Sequence, residues 1–121
     1  MINDAYLRIG DCFFIGRNYT EAIKYYQKAY NNGSTEADYA LYQIALSQGV
    51  QKQFQEKIAT LKNLISKYPR SPYNPAAYYE LALTSLLINK NNDALGYLDQ
   101  IINKYPKSNY VSKAMLKKGM S

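Results

Sequence analysis

Tyr68-Pro69-Arg70-Ser71-Pro72-Tyr73 and Tyr105-Pro106-Lys107-Ser108-Asn109-Tyr110 are two versions of one hexapeptide, 37 residues apart. A fixed period of this size marks a chain built from stacked supersecondary units. Sliding by that period pairs Ile44 with Leu81, Ala45 with Ala82, and Leu46 with Leu83. It also pairs Ile58 with Leu95, Leu61 with Leu98, Leu64 with Ile101, and Ile65 with Ile102. An earlier copy lies at an offset of 35, where Gly10 meets Ala45, Tyr19 meets Phe54, Ile23 meets Ile58, and Tyr26 meets Leu61. A fourth copy opens at Tyr110 and reaches Gly119, opposite Ala82. The expected repeats are about 3–34, 35–71 and 72–108, with a partial fourth over 109–121.

Each repeat reads as two helices. Leu95, Leu98, Ile101 and Ile102 fall on one helical stripe, and Ile58, Leu61, Leu64 and Ile65 repeat it. Pro69 and Pro106 cannot continue a helix and push Tyr68 and Tyr105 out of the α region. Ser71 and Ser108 offer side-chain caps to the helices that follow, and Pro72 suits a first helical position. Asn74-Pro75 is a rival start for the same helix. Polar turns are expected at Gly16-Arg17-Asn18, Asn31-Asn32-Gly33-Ser34 and Lys90-Asn91-Asn92. No segment alternates with a period of two for long enough to argue a strand. The expectation is an all-α fold of seven helices.

This pattern resembles the tetratricopeptide repeat. Repeat one supplies the motif residues Tyr6, Gly10, Tyr19, Ala22, Tyr26 and Ala29 in order. Repeat three supplies Tyr78, Ala82, Ala94 and Leu98, with departures at Asn91 and Ile101. Repeat two is the weakest, because Lys57 replaces an alanine and Leu41 an aromatic. The resemblance implies a right-handed α-solenoid of antiparallel helix pairs, one domain over the chain. In it, the small residues Gly10, Ala45, Ala82 and Gly119 let paired helices approach closely. The Tyr-Pro-basic-Ser junction, with a repeat longer than the usual ~34 residues, is similar to envelope lipoproteins of Gram-negative bacteria that help assemble outer-membrane barrels. It is also similar to a periplasmic coordinator of cell-wall synthesis and envelope constriction. That likeness implies a bacterial periplasmic or outer-membrane-associated scaffold.

We read the chain as an excerpt of a longer protein, with Met1 as an added start. Asn3 or Asp4 is the expected cap of the first helix, with no signal peptide or lipid-attachment cysteine near it. Val111, Ala114, Met115 and Leu116 leave the last helix an apolar side, which suggests further repeats or self-association through exposed repeat ends. With 47% hydrophobic and 20% charged residues, the composition is that of a globular domain. No apolar run approaches the ~20 residues of a membrane span. Cys12, between Ile9 and Phe13, is expected to be a small buried hydrophobe.

The formal charge of +6 comes entirely from residues 61–121. One reading is a surface for nucleic acid or anionic lipid; the favoured one is a solvated outer face. Lys24, Lys28, Lys62 and Lys67 sit at polar positions of second helices, which the resemblance turns outward. Lys113, Lys117 and Lys118 cluster on one helix and form the candidate basic patch. Catalysis finds no support: there is no histidine to serve as a general base, and no Gly-rich phosphate loop or cysteine cluster. The expectation is a non-enzymatic chain with no cofactor.

A protein or peptide partner remains. The resemblance implies that first helices line a concave groove, here Leu7, Asp11 and Phe14; Tyr39, Tyr42, Leu46 and Val50; and Tyr79, Leu83, Leu86 and Leu87. Tyrosine suits such a surface, giving area and one hydrogen bond at low entropic cost. Tyr39, Tyr42 and Tyr79 can equally be core filler, whereas Tyr6, Tyr26 and Tyr78 are motif positions and read as packing. Family members that grip chaperone C-terminal carboxylates use a basic and an amide residue on the first helices. The matching places here hold Leu7, Asp11 and Leu46, so that clamp is absent. The implied ligand is an extended or helical apolar segment.

Overall fold

Seven helices account for nearly all of the described residues. The computed structural model describes the backbone of residues 2–120 and the side chains of residues 5–119. The helices are α1 (Ile2–Ile15), α2 (Tyr19–Asn31), α3 (Ala37–Val50), α4 (Phe54–Lys67), α5 (Asn74–Leu87), α6 (Asn91–Lys104) and α7 (Tyr110–Met120). No strand occurs among the described residues, so the expected all-α class of helix pairs holds. α1 runs from Ile2, so Asn3 and Asp4 lie within it rather than before it; their side chains fall outside the described residues.

The turn between the two helices of each repeat is built identically three times. Arg17, Lys52 and Asn89 adopt left-handed backbone, with φ of 65°, 62° and 64°. After each, an amide closes the helix end: Asn18 N donates to Phe13 O, Gln53 N to Gln48 O, and Lys90 N to Ser85 O. None of the three is glycine; the turn expected at Gly16-Arg17-Asn18 falls on the first. The third lies at Asn89 and Lys90, and Asn91 already belongs to α6.

The junctions between repeats are also copies. Ser34, Ser71 and Ser108 each accept, through Oγ, the amide two residues on, from Glu36, Tyr73 and Tyr110, at 3.1 Å in every case. Each serine carbonyl then accepts the amide three residues on, at 3.2 Å. The serines therefore shape the turn before the helix rather than cap it. For α5 the rival start prevails: the helix begins at Asn74, with Pro75 in its first turn.

The chain forms two compact units that divide between Tyr68 and Pro69. In the first, α2 packs on α1 and α3, and α3 packs on α4. Its core gathers Leu7, Ala22, Tyr26, Ala29, Ala40 and Ile44. α3 is flanked by two helices, and it buries residues on several sides instead of one stripe. In the second unit α5 packs on α6, and α7 packs on α6 and, less extensively, on α5. Leu81, Ala82, Ala94, Leu98, Ile101 and Ala114 are buried there.

Two close approaches explain departures from the repeat pattern. A Cβ on Gly10 would stand 2.8 Å from Tyr26 Cδ1, so repeat one pairs glycine with a tyrosine ring. The equivalent pairs are Ala45 with Leu61 and Ala82 with Leu98, where a smaller partner leaves room for a methyl. In repeat two, Lys57 is buried at the alanine position. Its stem lies against Gly49, whose Cβ would come 2.9 Å from Lys57 Nζ and 3.0 Å from Cδ. Repeats one and three carry Phe14 and Leu86 at the Gly49 position, opposite Ala22 and Ala94. Bulk has moved from one helix to the other.

Cys12 corrects an expectation: it is exposed. α2 covers the side of α1 bearing Gly10, while Cys12 shares the opposite flank with the exposed Ile9 and Ile15. Its equivalent in α3, Ser47, is fully buried, because α3 has helices on both sides.

Candidate functional site

The first helices of the first unit carry a polar network at their centre. Asp11 Oδ1 on α1 accepts a hydrogen bond from the Tyr26 hydroxyl on α2 at 2.5 Å. The same atom accepts one from the Tyr39 hydroxyl on α3 at 2.7 Å. Gln43 Nε2 donates to the Tyr39 oxygen at 2.9 Å, and the Tyr26 and Tyr39 rings meet edge to face. One carboxylate thus ties three helices together. Burial, and then the bond to Asp11, push the Tyr26 hydroxyl far above the usual tyrosine value. Tyr39 is raised as well, chiefly by burial. Asp11 is consequently engaged by its own fold.

The other candidate residues divide by exposure. Leu7 is only 4% exposed and belongs to the core. Phe14 is half-buried against Tyr19, in an edge-to-face contact at 5.5 Å. Tyr42 and Leu46 are half-buried, and Val50 is exposed. In the second unit, Leu83 and Leu86 are half-buried and Leu87 is exposed. Tyr79 is half-buried, with its ring 5.4 Å from that of Tyr110 on α7.

One residue escaped the reading of the groove. Ile15, Val50 and Leu87 occupy the same repeat position, the last residue of each first helix, and are 81%, 54% and 67% exposed. Three large apolar side chains at equivalent places all face solvent. The register that paired Gly10 with Ala45 and Ala82 also pairs these three, so the signal was in the sequence.

The three lysines of α7 have different surroundings. Lys118 Nζ pairs with Asp99 Oδ1 on α6 at 2.6 Å. Lys113 Nζ stands 5.0 Å over the ring of Tyr110. Lys117 is half-buried on the same flank as Lys113. Two lysines of second helices also have aromatic partners rather than only solvent. Lys67 Nζ donates to the Tyr30 hydroxyl at 2.8 Å, lowering the Tyr30 pKa. Lys28 lies over Tyr6 and Tyr25. Among the described residues no group of metal-ligating side chains assembles, and no helix is long and apolar enough to cross a membrane.

The sequence profile of the tetratricopeptide repeat matches residues 4–32, 39–71 and 76–108. No curated protein matches the chain. Among solved structures, the chain is similar to the TPR2AB-domain:pHSP90-complex of yeast Sti1, with a TM-score of 0.78 and 17% identity. The match covers 98% of this chain and 48% of that one, so the chain spans about half the length of the solved domain it matches. At this identity the likeness is one of fold. Three profile matches over most of the sequence, each falling on a helix pair, show that the chain belongs to the tetratricopeptide repeat family.

Proposed function

We propose that this chain is a non-catalytic protein-interaction module. It binds an apolar protein or peptide segment through the first helices of its repeats. The observation that carries this reading is the threefold recurrence of an exposed large apolar residue at Ile15, Val50 and Leu87. A single exposed aliphatic residue is ordinary, so the support comes from the recurrence at one repeat position in all three copies. Around them, Phe14, Tyr42 and Leu46 in one unit and Tyr79, Leu83 and Leu86 in the other add half-buried apolar area. The solved TPR2AB domain of Sti1 is a complex with pHSP90. For this chain we propose a different ligand chemistry, because Asp11 stands where a carboxylate-gripping repeat needs a basic or amide residue. The Tyr-Pro-basic-Ser junction supports a setting in a bacterial cell envelope, periplasmic or associated with the outer membrane.

The test is in-cell photo-crosslinking of the full-length protein, with probes at Tyr42 and Tyr79 and a control at the exposed Lys62. It is repeated with Ile15, Val50 and Leu87 all changed to serine. A discrete partner captured from the groove probes, absent from the control and lost in the serine variant at unchanged helicity, is the expected result. Capture that survives the triple substitution overturns the reading.

A second reading rests on the exposed Ile9 of α1 and on Met115 and Leu116 of α7. These suit packing against further repeats or a second copy. In that case crosslinks form only within the protein itself.

A further inference from the structure

Lys28 on α2 stands over two rings at once, its Nζ 5.6 Å from the centroid of Tyr6 and 5.1 Å from that of Tyr25. These rings lie 6.2 Å apart and are tilted by 43°. The repeat register carries Tyr6 to Tyr78 and Tyr25 to Tyr97, and that pair has nearly the same geometry, 6.3 Å and 39°. It carries Lys28, however, to Gln100, and Lys24 to Gly96. The two-tyrosine seat therefore recurs between α5 and α6 without the lysine that fills it between α1 and α2.

The recurring seat borders a cleft, although Tyr78 keeps only 8% of its surface exposed and its ring also meets Tyr105 at 6.1 Å, while Tyr97 is half-buried. Tyr78, Asn92, Asp93, Gly96, Tyr97 and Gln100 line a cleft of about 410 Å³. A Cβ on Gly96 would meet nothing within 4 Å. Repeat two provides an internal control. There Leu41, Thr60 and Asn63 hold the places of the two rings and the lysine, and no pair of aromatic faces forms.

Aromatic faces attract a cation within about 6 Å of the ring centroid, through the negative face of the ring quadrupole. None of the six lining residues is cationic, and Asp93, in the first turn of α6, brings a carboxylate to the rim. We propose that the Tyr78–Tyr97 cleft is a binding site for a lysine side chain of a partner protein, its ε-ammonium standing over both rings as Lys28 does over Tyr6 and Tyr25. Lysine fits better than arginine, because a planar guanidinium lies flat on one ring. Rings inclined at 39° form a wedge that suits a compact tetrahedral ammonium. The chain's net charge of +6 opposes a basic run. Beyond a Debye length of about 8 Å that field is screened, which leaves a single lysine favoured. The site lies on the seam between the helices of one repeat and does not depend on the groove residues Leu83, Leu86 and Leu87.

The experiment is a titration of the whole chain with N-acetyl-lysine methylamide, followed through the ring resonances of its tyrosines by NMR. The norleucine analogue serves as the uncharged control. Saturable shifts at Tyr78 and Tyr97, absent with norleucine and smaller at Tyr6 and Tyr25, are expected. The variant Gln100→Lys supplies an internal occupant. It should move the Tyr78 and Tyr97 resonances in the direction the probe does, and weaken the probe at least about tenfold. Equal response to norleucine, shifts at Tyr6 and Tyr25 as large as those at Tyr78 and Tyr97, no response at all, or binding undiminished in a folded Gln100→Lys protein each overturns the proposal.

Discussion

The ring of Tyr26 occupies the space that any side chain on Gly10 would need, with Tyr26 Cδ1 and Cε1 both 2.8 Å from where a Cβ would stand. Tyr26 cannot retreat, since it is fully buried and its hydroxyl is held by Asp11. We predict that Gly10→Ala destabilises the protein even though alanine gains about 1 kcal/mol in helix propensity. Overpacking costs about 1–3 kcal/mol, so the net effect is a loss. Adding Tyr26→Leu, which copies the Ala45–Leu61 pair, should make the second substitution less harmful than it is alone. Urea unfolding of the four proteins in the cycle measures this coupling, and strict additivity would refute the steric account.

The Asp11 network predicts a specific alkaline sensitivity. The raised Tyr26 pKa means that the native state retains a proton which the unfolded chain releases above the ordinary tyrosine value of 10.0. The unfolded state then binds fewer protons than the native state, so stability falls as pH rises. This contribution is fully present below about pH 10 and fades above it. Tyr26→Phe should lose about 1–2 kcal/mol at pH 8 by breaking a charge-assisted hydrogen bond. It should also lose less than the parent between pH 8 and 10.5. A parallel decline of the two proteins with pH would count against the network.

Lys57 and Gly49 should behave as a coupled pair. Gly49→Leu alone drives a side chain into the Lys57 stem, and Lys57→Ala alone leaves a void. Together they recreate the Leu86 and Ala94 arrangement of repeat three. The double variant is expected to be more stable, by about 1 kcal/mol or more, than the sum of the two single losses implies. Thermal and urea melts provide the comparison.

Thr84 is fully buried, and its Oγ1 has no hydrogen-bond partner. Thr84→Val keeps the shape and removes a desolvated hydroxyl. It should raise stability by about 1 kcal/mol, against the usual direction of core substitutions. An equal loss in urea unfolding would mean that the hydroxyl is satisfied in solution.

The left-handed backbone at Lys52 gives a further check. A non-glycine residue there costs roughly 1–2 kcal/mol, so Lys52→Gly should stabilise the turn by up to about 1 kcal/mol. Glycine's greater freedom in the unfolded chain takes back part of the gain. Destabilisation would mean that the lysine side chain contributes more than the strain it carries.

The proposed groove was legible in outline only. Register alone placed Tyr39, Tyr42, Leu46, Tyr79, Leu83, Leu86 and Leu87 on first helices. It could not separate the buried Leu7 from the exposed Leu87. Nor could it show that Asp11 already holds two tyrosine hydroxyls, since the partners come from α2 and α3. The site proposed at Tyr78 and Tyr97 depended on seeing Lys28 stand over the equivalent rings.

By itself the sequence determined the period, the helix pairs, the family and the breaks at Pro69 and Pro106. Helical stripes and proline's missing donor are local properties, written in residues a few positions apart. Only the tertiary structure decided that Cys12 is exposed while Ser47 is buried, that Gly49 yields to Lys57, and that Lys28 sits on two rings. Those outcomes depend on which surface another helix covers. That is a matter of residues distant in the chain, so no short window of sequence contains it.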